Sequence, residues 1–285
     1  KPPCLERCRG SRQERPAPRV VRAPLREMSA QVVGRAAAES DDEMPGKQES
    51  ELGQRRAVSA MPAHIRMGFV RKVYGILGVQ LALTVAIGAA FHAYASPLWL
   101  QSNVSLFHAS CFGSLAILLG MSCCCPSAGR NYPTNYLMLF GLTVMQSIML
   151  GFVVSMYTGT SVLIAGASTV VVFAGLTAYA CMSKTDFTGL GPYLFAALFA
   201  MLGFSLVLSI FSIFTPIPHG MRVIFAFLGV LLFSFYIVYD TQLIVGGEHK
   251  AYEFDIDDYC FAALNIYLDI INLFLYLLEL FGDRR

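Results

Sequence analysis

The sequence predicts an all-α membrane protein, a bundle of seven transmembrane helices. Hydrophobic residues make up 55 % of the 285-residue chain and charged residues only 14 %, well below the quarter that is typical of soluble domains. The mean hydropathy is +0.56. Apolar stretches of about 20 residues, the length that a helix needs to cross a bilayer, follow one another along most of the chain.

Seven stretches have this apolar character, and short breaks rich in Pro, Gly, Ser and Thr separate them. They cover residues 73–95, 104–125, 133–157, 161–183, 191–214, 221–245 and 259–281. The connections between them are too short to hold a folded catalytic domain outside the membrane. We therefore assign residues 64–285 to one seven-helix transmembrane domain.

Residues 1–63 have a different composition. They contain more than half of the Lys and Arg residues of the chain and no sustained apolar period. Such a segment cannot bury enough apolar surface to offset the entropy lost on folding, so we predict a disordered polar tail. The net charge of +2 gives no indication of nucleic-acid binding, and we expect none.

The distribution of basic residues predicts the orientation in the membrane. Cytoplasmic flanks of membrane helices are usually the richer in Lys and Arg. Arg66, Arg71 and Lys72 lie before the first apolar stretch, whereas the first and third connections contain no basic residue. This pattern places the N-terminus in the cytosol. Seven crossings then leave Arg284 and Arg285 on the lumenal side, against the rule, so a re-entrant last segment stays open as an alternative.

Two aspartates lie inside the last two apolar stretches, Asp240 and Asp269. A carboxylate near the bilayer centre costs about 2.5–3.5 kcal/mol on insertion scales, so such residues commonly mark an ion path, a proton relay or a catalytic site. Counted from the cytosolic ends of their helices, the two residues lie at similar depths and can meet.

Two carboxyl groups in one desolvated site cannot both ionise, so the pair titrates as a unit. The sequence therefore predicts a pH-sensing pair at Asp240 and Asp269. The protonated pair would pin the two helices together, and the ionised pair would offer a cation two oxygen ligands. A permanently neutral, hydrogen-bonded staple is the alternative.

The last apolar stretch also carries a polar stripe. At about 100° per residue, five polar side chains fall within an arc of roughly 80° on one helix face: Asn265, Asp269, Asn272, Tyr276 and Glu279. A polar stripe in a bilayer faces the bundle interior or a water-filled cavity, so we expect these residues to line a path. Tyr236, one turn before Asp240, joins them. Hydrogen bonding between helices is the other interpretation of the Asn and Tyr side chains.

Three motifs give the chain a resemblance to a known family. They are IRMGFVRKVY at 65–74, YDTQ at 239–242 and LNIYLDIINLF at 264–274. These motifs resemble the Bax-inhibitor/lifeguard family of transmembrane proteins, especially its lifeguard branch and the Golgi anti-apoptotic type, over residues 64–283. The resemblance implies a seven-helix fold with the last helix at the centre of the others. It also implies a pH-sensitive calcium leak from the Golgi or endoplasmic reticulum that suppresses cell death.

The same resemblance assigns roles to individual residues. The paired aspartates of the family fall on Asp240 and Asp269, which would bind the permeant calcium ion transiently; no other cofactor is implied. Many members have Arg where this chain has Glu279, so an ion pair made by that Arg cannot form here. Glu279 then either adds a third carboxylate to the path or lies in the headgroup region.

Two other classes of protein share part of this pattern. Paired membrane aspartates also occur in intramembrane aspartyl proteases of the presenilin type, but this chain has Ile266-Tyr-Leu-Asp269 where those enzymes have Gly-x-Gly-Asp, and it lacks their Pro-Ala-Leu element. We therefore predict that the protein is not an enzyme. A non-conducting membrane adaptor that binds regulators of cell death remains the alternative function. It leaves the buried aspartates unexplained.

Overall fold

The computed structural model describes residues 63–121, 132–246, 254 and 258–284. The helices of these residues are α1 (Ala63–Tyr94), α2 (Pro97–Ser102), α3 (Val104–Leu119), α4 (Thr134–Val154), α5 (Gly159–Met182), α6 (Gly191–Phe214), α7 (His219–Val245) and α8 (Tyr259–Phe281). A 3-10 turn, Thr188–Leu190, precedes α6. The predicted tail lies outside the described residues except for Ala63, where α1 begins.

Six of the helices in the described part of the chain are long and apolar enough to cross a membrane, namely α1, α4, α5, α6, α7 and α8. The prediction of an all-helical membrane protein is therefore confirmed. The predicted second crossing, 104–125, corresponds to the shorter apolar helix α3, which ends at Leu119. Residues 122–125 of that stretch are outside the described part.

Helices α1 and α2 depart most from the sequence-based prediction. Helix α1 begins ten residues before the predicted start at residue 73, because hydropathy marks only the apolar part of a helix and misses its basic first turns. Helix α2 was not predicted at all. Its signals were present, since Ser96 caps it by accepting a hydrogen bond from the Trp99 N–H at 3.2 Å and Pro97 occupies its first turn.

The last helix, α8, packs against four of the other described helices. Its most extensive contact is with α7, and it also touches α5, α1 and α4. In the most apolar part of α8, 61 % of the residues are buried, compared with 11 % in α6. Helix α6 lies at the periphery against α7, and α3 lies against α4.

A chain of buried polar side chains joins α1, α4 and α8. Gln80 donates to the Thr143 hydroxyl at 2.9 Å, and the Thr84 hydroxyl lies 2.9 Å from both the Ser147 and the Tyr267 hydroxyls. All five side chains are buried. Hydrogen bonds between neighbouring helices add to packing in holding a membrane bundle together.

Candidate functional site

Asp240 and Asp269 meet between α7 and α8. Their exposed fractions are only 3 % and 5 %, and their carboxyl groups lie within reach of each other. An ionised carboxylate only accepts hydrogen bonds, so a direct hydrogen bond between the two groups would require a proton on one of them. The structure thus brings together the two side chains that the sequence placed at similar depth.

No basic side chain neutralises this pair in the described part of the chain. The ion pair between Arg284 and Glu279 lies elsewhere, at the far end of α8. Oxygen Oδ2 of Asp269 is buried and has no hydrogen-bond partner among the described residues. The Tyr236 side chain lies close to both carboxyl groups. A proton shared between the two aspartates would avoid two buried negative charges.

The pair is not a complete metal site by itself. Within the described ranges, no three His, Cys, Asp or Glu side chains come together in a way that could hold a metal ion. A calcium ion in a stable protein site takes six to eight oxygen ligands. Two carboxyl groups can therefore contribute to a passing, largely hydrated ion but cannot form its full coordination shell.

The two asparagines of the predicted stripe lie on either side of Asp269. At 1.5 Å per residue, Asn265 is about 6 Å before it along α8 and Asn272 about 4.5 Å after it. Both are half-buried. The Asn272 amide donates to the Leu268 carbonyl of its own helix at 2.8 Å, so one of its donors is satisfied within α8.

Tyr276 lies among aromatic rings instead of beside the aspartates. Its ring stacks on that of Phe233, with ring centres 5.8 Å apart, and meets Phe225 edge-on at 5.9 Å. A Cβ atom at Gly229 would lie only 2.5 Å from the Tyr276 ring. The absence of a side chain at Gly229 therefore allows α7 and α8 to approach closely at this level.

Glu279 lies at the far end of α8, roughly 15 Å along the helix from Asp269. The Tyr157 hydroxyl donates to its Oε2 at 2.5 Å, and the Arg284 guanidinium donates to Oε2 at 2.8 Å and to Oε1 at 3.1 Å. From the sequence, a path role and a headgroup position were both open for Glu279. The ion pair with Arg284 was not foreseen by either interpretation, because Arg284 comes after the helix has ended.

The end of the chain folds back onto the turn between α4 and α5. The Thr158 N–H donates to the Asp283 carbonyl at 3.0 Å, and the Asp283 N–H donates to the Ser161 hydroxyl at 2.9 Å. A Cβ at Gly282 would lie 2.6 Å from the Tyr157 ring, so glycine fits where a larger residue would not. We refer to residues 157–161 and 279–284, with these contacts, as the C-terminal clasp.

Two donors of the C-terminal clasp are held in their protonated forms. Burial raises the pKa of the Tyr157 phenol above its usual value, and the hydrogen bond to Glu279 raises it further. The hydrogen bonds to Glu279 also raise the pKa of Arg284. Tyr157 is therefore a neutral donor and Arg284 a cation throughout the physiological pH range. The charge of Arg284, which opposed the predicted orientation, is compensated locally by Glu279.

Gln242 is a structural residue that the sequence-based site did not include. Its amide lies two residues after Asp240, is 1 % exposed, and binds the segment between α5 and α6. It accepts from the Phe187 N–H at 2.8 Å and donates to the Thr185 carbonyl at 3.0 Å. A buried amide in an apolar helix was the available signal, since such a group needs partners.

The fold and the site define a class, the helical multi-pass membrane proteins with a buried carboxyl pair between their last two helices. Residues 66–285 match the family model described as "Inhibitor of apoptosis-promoting Bax1". The chain belongs to this family, as its motifs predicted. The match covers both aspartates and the C-terminal clasp.

Relatives of the chain include viral and mammalian proteins. The chain is 36 % identical over 233 residues to the Golgi anti-apoptotic protein of Vaccinia virus (strain Lister), covering 81 % of this chain and 92 % of the relative. It is 35 % identical over 234 residues to protein lifeguard 4 of Mus musculus, covering 81 % and 91 %. With protein lifeguard 3 of Homo sapiens it shares 34 % over 229 residues, covering 78 % and 70 %.

Proposed function

We propose that this protein is a pH-sensitive calcium leak channel of Golgi or endoplasmic reticulum membranes and that it suppresses cell death. The observation that carries the proposal is the buried contact between Asp240 and Asp269, which has no basic partner among the described residues. Membership of the family supports the cell-death role, and the name of the Vaccinia relative supports both that role and the Golgi.

The aspartate pair is the proposed gate. With one shared proton, it joins α7 to α8 and closes the path. When the proton leaves, two unit charges about 4 Å apart repel by about 4 kcal/mol at an effective dielectric constant of 20. This repulsion favours separation of α7 and α8, and the freed carboxylates become transient ligands for calcium. Because the pair is buried, water screens the repulsion between the two carboxylates only weakly. Loss of the proton therefore has a large effect on the contact between α7 and α8.

The proposed path continues along the predicted stripe. Tyr236 lies close to the pair, and Asn265 and Asn272 lie about one turn before and after Asp269 along α8. All three would contact the permeant ion through polar atoms. Tyr276 fills the space beside Gly229 in the closed state and would have to turn aside for an ion to pass. Glu279, at the other end of α8, would be the last carboxylate on the path.

We place the protein in the membrane with seven crossings. Helix α3 belongs to the second crossing, and α8 lies at the centre of the bundle. Contacts of α8 with α1, α4, α5 and α7 support the central position. The N-terminal tail is placed in the cytosol, which puts the C-terminal clasp at the lumenal end.

Calcium flux into liposomes that contain the purified protein tests this function. We would scan the flux between about pH 5 and pH 8, a range that includes the shifted values found for buried carboxyl groups. Wild type would be compared with Asp269→Asn. Asp283→Asn is the matched control, because it removes an exposed carboxylate whose side chain makes none of the clasp contacts.

We expect pH-dependent flux in wild type and Asp283→Asn, and flux that no longer responds to pH in Asp269→Asn. Equal pH dependence in all three proteins would remove the aspartate gate but keep the channel. No flux at any pH, from protein shown to be folded, would remove the channel and favour a non-conducting adaptor for regulators of cell death.

A further inference from the structure

The Gln242 side chain ties α7 to residues 183–190, which we call the α5–α6 connection. Its Oε1 accepts a hydrogen bond from the Phe187 N–H at 2.8 Å. Its Nε2 donates to the carbonyls of Thr185 and Ala180, at 3.0 and 3.4 Å. Both ends of the buried amide are therefore satisfied by backbone groups outside α7, as buried polar groups usually require.

Gln242 and Asp240 lie on opposite sides of α7. Two residues correspond to about 200° around a helix with 3.6 residues per turn. Asp240 faces Asp269 of α8, so the α5–α6 connection holds α7 from the side opposite to α8. At this turn, α7 cannot move away from α8 without displacing the connection or breaking the hydrogen bonds of Gln242.

The residue before Asp240 makes a second contact beside the connection. Tyr239 packs on the start of α6, where a Cβ atom at Gly191 would lie only 2.7 Å from the Tyr239 hydroxyl. Gly191 directly follows the connection, and α7 also touches the 3-10 turn within it. Two residues of the motif at 239–242 thus bring α7 against the connection and the start of α6.

The α5–α6 connection has hydrogen bonds of its own that do not involve Gln242. The Asp186 Oδ1 accepts from the Thr188 N–H at 2.9 Å and from its hydroxyl at 2.6 Å. Thr188 is buried, whereas Lys184 and Asp186 are exposed. These internal bonds give the connection a shape that can be displaced as a unit.

The titratable side chains around these contacts, among the described residues, are tyrosines and exposed charged groups. Tyr236 lies close to the aspartate pair, and the Tyr179 ring meets the Phe187 ring at 6.1 Å. The remaining ones are Tyr239, Lys184 and Asp186. Tyr, Lys and exposed Asp side chains ordinarily keep one charge state between about pH 5 and pH 8. A response of the connection in that range would therefore come from the aspartate pair.

We propose that Gln242 is a positioning residue of the aspartate gate. By tying α7 to the α5–α6 connection, it holds Asp240 against Asp269, and the connection has to move when the pair separates. This inference rests on the proposed gate, but it does not require that calcium is the ion that passes. In the proposed orientation, the connection is the cytosolic element that follows the state of the gate.

Hydrogen–deuterium exchange of two neighbouring amides tests this coupling. The Phe187 N–H bonds to Gln242, whereas the Thr188 N–H bonds to Asp186 within the connection. Mass spectrometry with electron-transfer fragmentation resolves the two amides. We would measure both rates in lipid nanodiscs without calcium, between about pH 5 and pH 8. The ratio of the Phe187 rate to the Thr188 rate removes the intrinsic dependence of exchange on pH.

Three variants would be compared with wild type. Gln242→Leu removes the amide at similar size, and Asp269→Asn removes one carboxyl group of the pair. Gln146→Leu in α4 is the matched control, because it also removes a glutamine amide, one whose buried Oε1 has no hydrogen-bond partner among the described residues. It should leave the exchange ratio at its wild-type value at every pH.

We expect the exchange ratio in Gln242→Leu to be several-fold higher than in wild type at every pH. In wild type the ratio should rise several-fold from acidic to alkaline pH, because the ionised pair pushes α7 against the connection. Asp269→Asn should show a smaller rise. A wild-type ratio in folded Gln242→Leu would overturn the contact, and a ratio that does not change with pH in wild type would overturn the coupling.

The exchange experiment and the flux experiment fail independently. A constant exchange ratio together with pH-dependent calcium flux would remove the coupling and keep the channel. A pH-dependent ratio without any flux would keep the coupling and remove the channel. Should Gln242→Leu fail to fold, the wild-type and Asp269→Asn series still decides, because neither protein is changed at Gln242.

Discussion

Arg284 forms an ion pair with Glu279 at 2.8 Å, at the end of the same helix that holds Asp269 at its middle. The contact turns the last residues back toward the helix, where they also meet the turn between α4 and α5. Glu279 thereby connects α8 to Tyr157 as well as to Arg284. Movement of α8 along the bundle must either carry this turn with it or break the C-terminal clasp.

The ion pair itself should contribute little free energy of unfolding. Its side chains are 54 % and 29 % exposed for Arg284 and Glu279, and exposed pairs typically contribute about 0.2–1 kcal/mol. We expect Glu279→Gln and Arg284→Gln each to lower the melting temperature slightly. The double variant should be no less stable than the worse single one. Thermal unfolding in one detergent at one ionic strength measures this.

Asp283→Asn provides the control for the clasp, since it changes a neighbouring charge and leaves the backbone contacts of that residue in place. It should melt as wild type does. If the losses of Glu279→Gln and Arg284→Gln add up fully, the two side chains do not interact in solution, and the ion pair of the clasp as described is wrong.

Tyr157 makes the clasp sensitive to alkali. Its pKa in the folded protein is raised above the usual value of 10.0, first by burial and then by the hydrogen bond to Glu279. A raised pKa stabilises the folded state below the unfolded value, and this contribution is lost as pH rises through the folded pKa. We expect the stability contribution of Tyr157 to be constant at neutral pH and to fall only above pH 10.0.

Absorbance of the tyrosinate anion measures this titration. The chain has 13 tyrosines, so the difference between wild type and Tyr157→Phe isolates one of them. The midpoint of the difference should lie above 10.0 and move downward in Glu279→Gln without reaching the usual value, because burial remains. A midpoint at or below 10.0 in wild type would contradict the buried position of Tyr157.

Gly229→Ala should destabilise the contact between α7 and α8. The added Cβ would lie 2.5 Å from the Tyr276 ring, which Phe233 and Phe225 hold from other sides. Adding a methyl group to a packed site typically costs about 1–3 kcal/mol. We expect a clear fall in melting temperature in the same detergent as wild type.

Gly203→Ala in α6 is the matched control, because no atom lies within 4 Å of its new Cβ. It should be neutral or slightly stabilising. Combining Gly229→Ala with Tyr276→Leu should recover part of the loss, since the smaller side chain makes room for the methyl group. A melting temperature for Gly229→Ala equal to that of Gly203→Ala would mean that α7 and α8 are farther apart than described.

Local sequence features were sufficient to predict some elements. The bounds of α6 and α8 agree with the predicted stretches 191–214 and 259–281, because polar residues or Gly and Pro mark their starts. The meeting of Asp240 and Asp269 was also predictable, since a helix rises by a constant 1.5 Å per residue and depth follows from counting. The helix bounds and the depth of each aspartate depend on one helix at a time, whereas the contact between the two aspartates also requires α7 to pack on α8.

Contacts that depend on several elements were not predictable in this way. Periodicity placed Tyr276 on the same face as Asp269, but the gap left by Gly229 draws its ring between aromatic side chains. The ion pair of Glu279 requires the chain to turn at Gly282, which hydropathy does not report. Tyr74 and Thr241 are 167 positions apart, and only the packing of α1 on α7 brings them together.

Asp240 and Asp269 should act as one pH-sensing unit, so that substitution of either one has the effect of substituting both. Asn keeps the size of Asp and cannot ionise, so either Asp240→Asn or Asp269→Asn leaves at most one charge in the site. Each single variant should therefore lose the charge repulsion that opens the pair, and the pH dependence of calcium flux should vanish in both. The double variant should behave as the single ones do, because the interaction is already lost.

The same three variants separate a gate from a staple. In a pH-operated gate, wild type melts at a lower temperature at alkaline than at acidic pH, because its pair gains a second buried charge. The single Asn variants, which keep one buried carboxyl group, should show a smaller difference, and the double variant should show none from this site. Strictly additive effects of the two substitutions on flux would show that the aspartates act at separate sites. A melting temperature of wild type that does not change with pH would favour the permanently neutral staple instead.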